Sequence, residues 1–138
     1  IRIGALICYE DLMPDLSRNF VKETGANLLV NLTNDAWYGK SVGPWQHARL
    51  AQSRAIETRR SLLRVTNTGV TSLVNAKGEL VESLPMFVPG VLKAEVDILD
   101  GETYYVRYGD WFVWGLTIIT AAVLLFRLNK PQWLDSVS

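Results

Sequence analysis

The sequence predicts an α/β domain that ends in one membrane-spanning helix. Three observations carry that reading. Over residues 1–66, short apolar runs alternate with segments of helical spacing, the pattern of strand–helix–strand units. The runs stop abruptly at Cys8-Tyr9-Glu10, Asn34-Asp35 and Asn67-Thr68-Gly69, as strands do where they reach the edge of a sheet. Trp111 to Phe126 carries no charged residue.

Ile1 to Ile7 reads as a buried strand. Asp11 to Glu23 is expected as a helix, with apolar residues at Leu12, Leu16, Phe20 and Val21 and Gly25 as its stop. Asn27 to Thr33 is a second strand, whose continuous apolar middle suits a sheet covered on both faces. Asn34 to Gly43 is a loop rich in glycine and aromatic residues, and Pro44 opens a helix that runs to about Arg59. Leu62 to Thr66 is the third strand. Val70–Asn75 and Glu79–Leu84 flank Ala76-Lys77-Gly78 as a hairpin. Gly90 to Ile98 alternates Val91, Lys93, Glu95 and Asp97 against Leu92, Ala94, Val96 and Ile98, and is expected as a further strand. Residues 1–103 therefore read as the soluble-facing domain and 104–110 as an aromatic interfacial linker. Residues 111–128 read as the span and 129–138 as a tail.

The span is argued from its flanks. Sixteen uncharged residues reach about 24 Å as a helix, short of the ~30 Å hydrocarbon core, so length alone equally suits a buried helix. Tyr104, Tyr105, Tyr108, Trp111 and Trp114 crowd one end like an interfacial belt. Arg127 and Lys130 flank the other, with Trp133 beyond. The two basic residues place the C-terminus in the cytoplasm, although Arg107 weakens the asymmetry.

Composition narrows the function classes. The chain has 138 residues, 49% hydrophobic and 20% charged, so it is not a disordered tail. Lys+Arg and Asp+Glu are equal at 14 each, which removes the electrostatic case for nucleic acid. One cysteine excludes an internal disulfide and a cysteine-rich zinc site, and Asp97, Asp100 and Glu102 are too scattered for a calcium loop. No initiator Met and no leader are visible, so a segment of a longer protein is the expected reading.

Cys8 is the candidate nucleophile. A thiol at a strand-to-helix junction can feel the positive end of the helix dipole, attack a carbonyl and form a thioester. The plain alternative is a small buried apolar residue. Glu10 reads either as a functional carboxylate or as a first-turn residue favoured by the dipole. His47, the only histidine, is expected to be a packing or surface residue of a helix, because a Cys–His dyad requires hydrogen-bond reach. Trp37, Tyr38 and Trp45 fit a mobile aromatic lid or ordinary packing. Asn67, Thr68 and Gly69 end a strand as Cys8 does, and either line the same pocket or form a turn. Arg54, Glu57, Arg59 and Arg60 read as a solvated helix face with an Arg54–Glu57 pair. The sequon Asn31-Leu32-Thr33 is discounted because it lies in a core strand.

Ile7-Cys8-Tyr9-Glu10 resembles the nucleophile motif of the nitrilase (carbon-nitrogen hydrolase) superfamily. Several further segments follow in order: Asn34-Asp35-Ala36-Trp37-Tyr38-Gly39, Gly43-Pro44-Trp45-Gln46-His47, Arg54-Ala55-Ile56-Glu57 and Thr66-Asn67-Thr68-Gly69. With the closing hydrophobic segment, this order is similar to the C-terminal part of the bacterial apolipoprotein N-acyltransferase branch, from Ile1 to about Pro131. The resemblance implies the C-terminal part of an αββα sandwich followed by one transmembrane helix. It implies a Glu–Lys–Cys triad whose Glu and Lys lie upstream, outside this chain. Cys8, Tyr9 and Glu10 would be catalytic, with the Tyr9 N–H as oxyanion donor. Asn34, Trp37, Tyr38, Thr68 and Gly69 would contact substrate. No metal and no cofactor are implied. The acyl donor would be a phospholipid and the acceptor a diacylglyceryl-modified lipoprotein, at the bacterial inner membrane with a periplasmic catalytic domain. The rival readings are a soluble amidase of the same superfamily and a membrane-anchored interaction module with a merely buried cysteine.

Overall fold

A computed structural model describes residues 1–128, and the expected tail, with Lys130 and Trp133, lies outside the described residues. Five strands form one sheet in the order β1 (Ile3–Ile7), β2 (Leu28–Thr33), β3 (Ser61–Thr66), β4 (Ser72–Val74) and β5 (Leu80–Ser83). The first three run parallel, in register from Ile3↔Leu28 and Leu28↔Ser61. β4 and β5 add as an antiparallel hairpin, with a bulge at Leu73/Val74 and a turn at Gly78, whose φ is +82°.

Helices α1 (Pro14–Thr24) and α2 (Gly43–Thr58) are the two crossovers. Adjacent parallel strands added in one direction, each by a right-handed crossover, place their helices on the same face, and α1 and α2 indeed touch. Under them the core joins Leu29, Leu62 and Val74 of the sheet to Ala51 and Ala55 of α2, with Phe20 of α1 packed alongside. Gly4 permits the close approach of α1. A Cβ there would lie 2.9 Å from Leu29 Cδ2 and 3.0 Å from Phe20 Cβ.

Within this chain the two faces of the sheet differ. Helices cover one face only, and Ile3, Ile7, Leu32 and Val65 of the other are exposed. The uninterrupted apolar runs thus reflect two apolar faces, of which these helices bury one.

Two boundaries and one strand also differ. Cys8–Leu12 is a short 3-10 turn, and α1 begins only at Pro14. Met13 sits in the extended region (φ −94°, ψ 104°), as the residue before a proline is driven to do. The expected strand Gly90–Ile98 is irregular. It docks against β3, where Ser61 Oγ donates to the Asp97 carbonyl at 3.1 Å. Since β3 is already paired on both sides, that segment has no edge to join.

The 104–110 stretch contains a short helix, α3 (Tyr104–Tyr108), capped by Thr103 Oγ1 accepting the Val106 N–H at 3.0 Å. Val106 is fully buried against Val21 and Ala26. Arg18 Nε donates to the carbonyls of Tyr105 and Val106, both at 3.0 Å. Helix α4 (Trp111–Leu128) follows, with no residue buried and a mean hydropathy of 1.9.

Candidate active site

The carboxyl ends of β1, β2 and β3 deliver three loops to one edge of the sheet, where open α/β sheets place their sites. Cys8 ends β1. Its thiol is free and half-buried, and its backbone is left-handed, with φ +53°. That conformation costs a non-glycine residue roughly 1–2 kcal/mol, and such strain persists where neighbours impose it. The neighbours are identifiable. Glu10 Oε2 accepts the Ile7 N–H at 2.7 Å, and Asn31 Nδ2 donates to the Cys8 carbonyl at 2.9 Å. The turn is therefore held on both sides of the thiol. Since α1 starts at Pro14, its dipole, felt mainly within the first turn, does not act at Cys8.

Aromatic rings cover the turn. Tyr9 stacks on His47 with centroids 4.8 Å apart and meets Trp37 edge-on at 5.9 Å. The Tyr9 and Tyr38 hydroxyls share a hydrogen bond. That bond, with partial burial, pushes Tyr38 up to about 12, so this phenol stays protonated at neutral pH. Trp37 projects from a single turn, Ala36–Tyr38, and is 70% exposed.

The loop after β3 adjoins this cluster. Asn67 Nδ2 donates to Asn34 Oδ1 at 2.7 Å, while Asn67 Oδ1 accepts the N–H groups of Asp35 and Thr68 at 3.1 and 2.9 Å. A cavity of about 390 Å³ opens beside it, lined by Thr66, Asn67, Gly69, Phe87, Val88 and Leu92 among others. Gly69 is buried hard against the Asp35 side chain.

Below the turn lies a group of buried polar side chains. His47 Nε2 is 2.9 Å from Asp11 Oδ1 and Nδ1 is 3.0 Å from Asp35 Oδ1. Arg64 bridges the same two carboxylates, through Nη1 to Asp11 and through Nη2 to Asp35 at 3.1 Å. Both ring nitrogens of His47 are thus committed to carboxylates, and no Cys–His dyad forms.

Of the sequence-predicted residues, Tyr9, Trp37 and Tyr38 gather around the Cys8 turn, and Asn34, Thr68 and Gly69 meet at the neighbouring strand ends. Trp45 lies apart, beside Val70 and Leu80. The solvated charged face is corrected. Arg54 is buried, donating to Glu57 Oε1 at 2.6 Å in the expected i,i+3 pair, and Arg60 is buried with Nε on the Ala26 carbonyl at 2.8 Å. Asp11, Asp35 and Arg64 were not legible as a unit. The available signal was Asn31 and Arg64 standing inside apolar strands, where an unpaired polar group is too costly to keep. Among the described residues no group of His, Cys, Asp or Glu is arranged to hold a metal ion.

The family model described as carbon-nitrogen hydrolase matches residues 1–105. A protein of Geobacter metallireducens named apolipoprotein N-acyltransferase is 45% identical over 131 residues, covering 95% of this chain and 25% of that protein. One of the same name from Thermotoga maritima is 43% identical over 124 residues, covering 90% of this chain and 24% of that protein. The chain thus spans about a quarter of the length of these curated relatives. Among solved structures, an amidase from Nesterenkonia sp. superposes with a TM-score of 0.54 at 19% identity, covering 80% of this chain and 41% of that one, and shares the fold.

Proposed function

The chain belongs to the carbon-nitrogen hydrolase family, and from that premise we propose that it is the nucleophile-bearing part of a membrane N-acyltransferase. The observation that carries the proposal is Cys8 held left-handed at the end of β1 by Glu10 and Asn31. A sharp strand-end turn of this kind lifts a nucleophile clear of the sheet.

In the proposed reaction the Cys8 thiolate attacks an ester carbonyl of a phospholipid. The tetrahedral intermediate collapses to a thioester and expels the lysophospholipid alkoxide, which takes up a proton. The α-amine of a diacylglyceryl-modified lipoprotein cysteine then attacks the thioester. An amide forms, the Cys8 thiolate leaves, and the amine loses a proton. The Tyr9 N–H is the proposed oxyanion donor. The proton carriers are the triad Glu and Lys, proposed to lie in the rest of the protein. Trp37 and Tyr38 are proposed as acyl-chain contacts, Gly69 as a wall of the adjoining cavity, and Asn34 and Thr68 as substrate contacts at the strand ends beside it.

Two further points support this reading. The relatives that match nearly all of this chain carry the acyltransferase name. Helix α4 presents apolar residues along its whole length with none buried, which suits a catalytic domain held at its lipid substrate. The domain is proposed to face the periplasm, with the chain's end in the cytoplasm. The test is made in the full-length protein in lipid-containing micelles. A hydroxylamine-sensitive acyl adduct is expected on the parent and none on Cys8→Ser, since serine is hardly ionised at neutral pH. Normal lipoprotein N-acylation by Cys8→Ser, or amide hydrolysis that needs no lipid, would overturn the assignment.

A further inference from the structure

Asp11, Asp35, His47 and Arg64 have no part in the reaction above, yet they are buried directly beneath the nucleophile turn. Asp11 belongs to the same 3-10 turn as Cys8, and Asp35 opens the loop that carries Trp37. His47 comes from α2 and Arg64 from β3. The contacts close a ring in which each carboxylate faces both Arg64 and His47. Arg64 Nη1 also lies 3.3 Å from Asn31 Oδ1, and Asn31 in turn holds the Cys8 carbonyl.

An ionised carboxylate only accepts, and a neutral imidazole has a single N–H. With both carboxylates ionised, a neutral His47 would set a lone pair against a carboxylate oxygen about 3 Å away, in a site whose four side chains are all at most 1% exposed. An imidazolium donates to both aspartates and brings the ring to two cations and two anions. The other groups facing the imidazole are the rings of Tyr9, stacked at 4.8 Å, and Tyr38, edge-on at 6.3 Å. Stacking on a phenol face also favours a cation.

We propose that Asp11 and Asp35 are both ionised, that His47 is held between them as an imidazolium, and that, with Arg64, it is a positioning residue. The ring clasps the Asp11 turn to the Asp35 loop and so sets the Cys8 backbone relative to Trp37 and Tyr38. This rests on Cys8 being the nucleophile.

The test is a double-mutant cycle in the full-length protein, reading two rates per folded molecule: alkylation of Cys8 by iodoacetamide and formation of the acyl-enzyme. His47→Gln leaves the ring with one cation short, and both rates should fall roughly ten- to a hundredfold, as misplaced reacting groups do. Acceptor KM should stay unchanged. Adding Asp35→Asn to His47→Gln restores charge balance and should recover part of the loss. If His47 were neutral, the Gln variant would keep the parent's charge and the second change would give no recovery. Parent-like rates in His47→Gln, or no recovery in the double variant, overturn the proposal. Should His47→Gln fail to fold, the double variant decides: a folded protein with slowed Cys8 alkylation supports the clasp, and an unfolded one, or parent-like alkylation, overturns it. A parent that alkylates at Cys8 but forms no acyl adduct would instead sink the nucleophile assignment.

Discussion

Replacing Gly69 with alanine probes the packing beneath the nucleophile without touching it. A Cβ at this position would lie 2.2 Å from Asp35 Oδ2, 2.7 Å from its Cβ and 2.8 Å from its Cγ. Comfortable contact is about 3.5 Å, so Asp35 must retreat by about 1 Å. Its carboxylate sits 3.1 Å from Arg64 Nη2 and 3.0 Å from His47 Nδ1. A retreat of that size carries both contacts out of hydrogen-bond range. If Asp35 stays, the overlap costs about 1–3 kcal/mol. If it moves, a buried ion pair breaks at a cost of about 3–5 kcal/mol. The protein takes the cheaper course or a mixture of the two, so a loss of about 2–3 kcal/mol is expected. Denaturant unfolding of the full-length protein in micelles, followed by fluorescence, measures it. Thr68→Ala is the control, because the Thr68 hydroxyl donates to the neighbouring Asn67 Oδ1 at 3.4 Å and to no group of the ring. A Gly69→Ala protein within about 0.5 kcal/mol of the parent would refute the packing argument. A raised KM with parent-like stability would leave Gly69 a wall of the substrate pocket alone, with no spacing role toward Asp35.

Cys8→Gly should be more stable than Cys8→Ala by about 1 kcal/mol, because only glycine adopts the φ of +53° freely; equal stabilities would mean that the turn imposes no strain. Trp37→Ala, at a site 70% exposed, should change stability by less than about 0.5 kcal/mol yet slow turnover. A sharp drop in melting temperature with full activity per folded molecule would make Trp37 a packing residue. Ile119→Arg, at the centre of α4, should cost about 2.5–3.5 kcal/mol on an insertion scale and reduce membrane integration. Alkaline phosphatase fused after Ser138 should be inactive and green fluorescent protein fluorescent, and the opposite pair of results refutes the orientation.

The sheet and the nucleophile were legible because their signals are local. Three apolar runs, each closed by polar or glycine residues, mark β1, β2 and β3, and the sharp stop at Cys8 marks the strand-end turn. The ring beneath was not, because its contacts join residues up to 53 positions apart. They depend on a parallel register that sets Leu6, Asn31, Arg64 and Ser72 in one row across the sheet. Arg54 and Arg60 were misjudged for the same reason, since their burial is decided by Asp11, Glu57 and Ala26 and not by their own spacing. Gly90–Ile98 shows the converse error: alternation is enough to suggest a strand, but a ladder also needs a free edge.

The closed ring has a consequence for the order in which the fold assembles. Pairing β1 with β2 closes loops of about 25 residues and is the first parallel contact available to the chain. It also brings two carboxylates, Asp11 and Asp35, toward a common point, where they repel until Arg64 and His47 arrive with β3 and α2. The first strand pair therefore carries that repulsion until the third strand docks. Assembly by stepwise addition gives way to a three-strand nucleus, and amides of β1, β2 and β3 should exchange with solvent through one shared opening event.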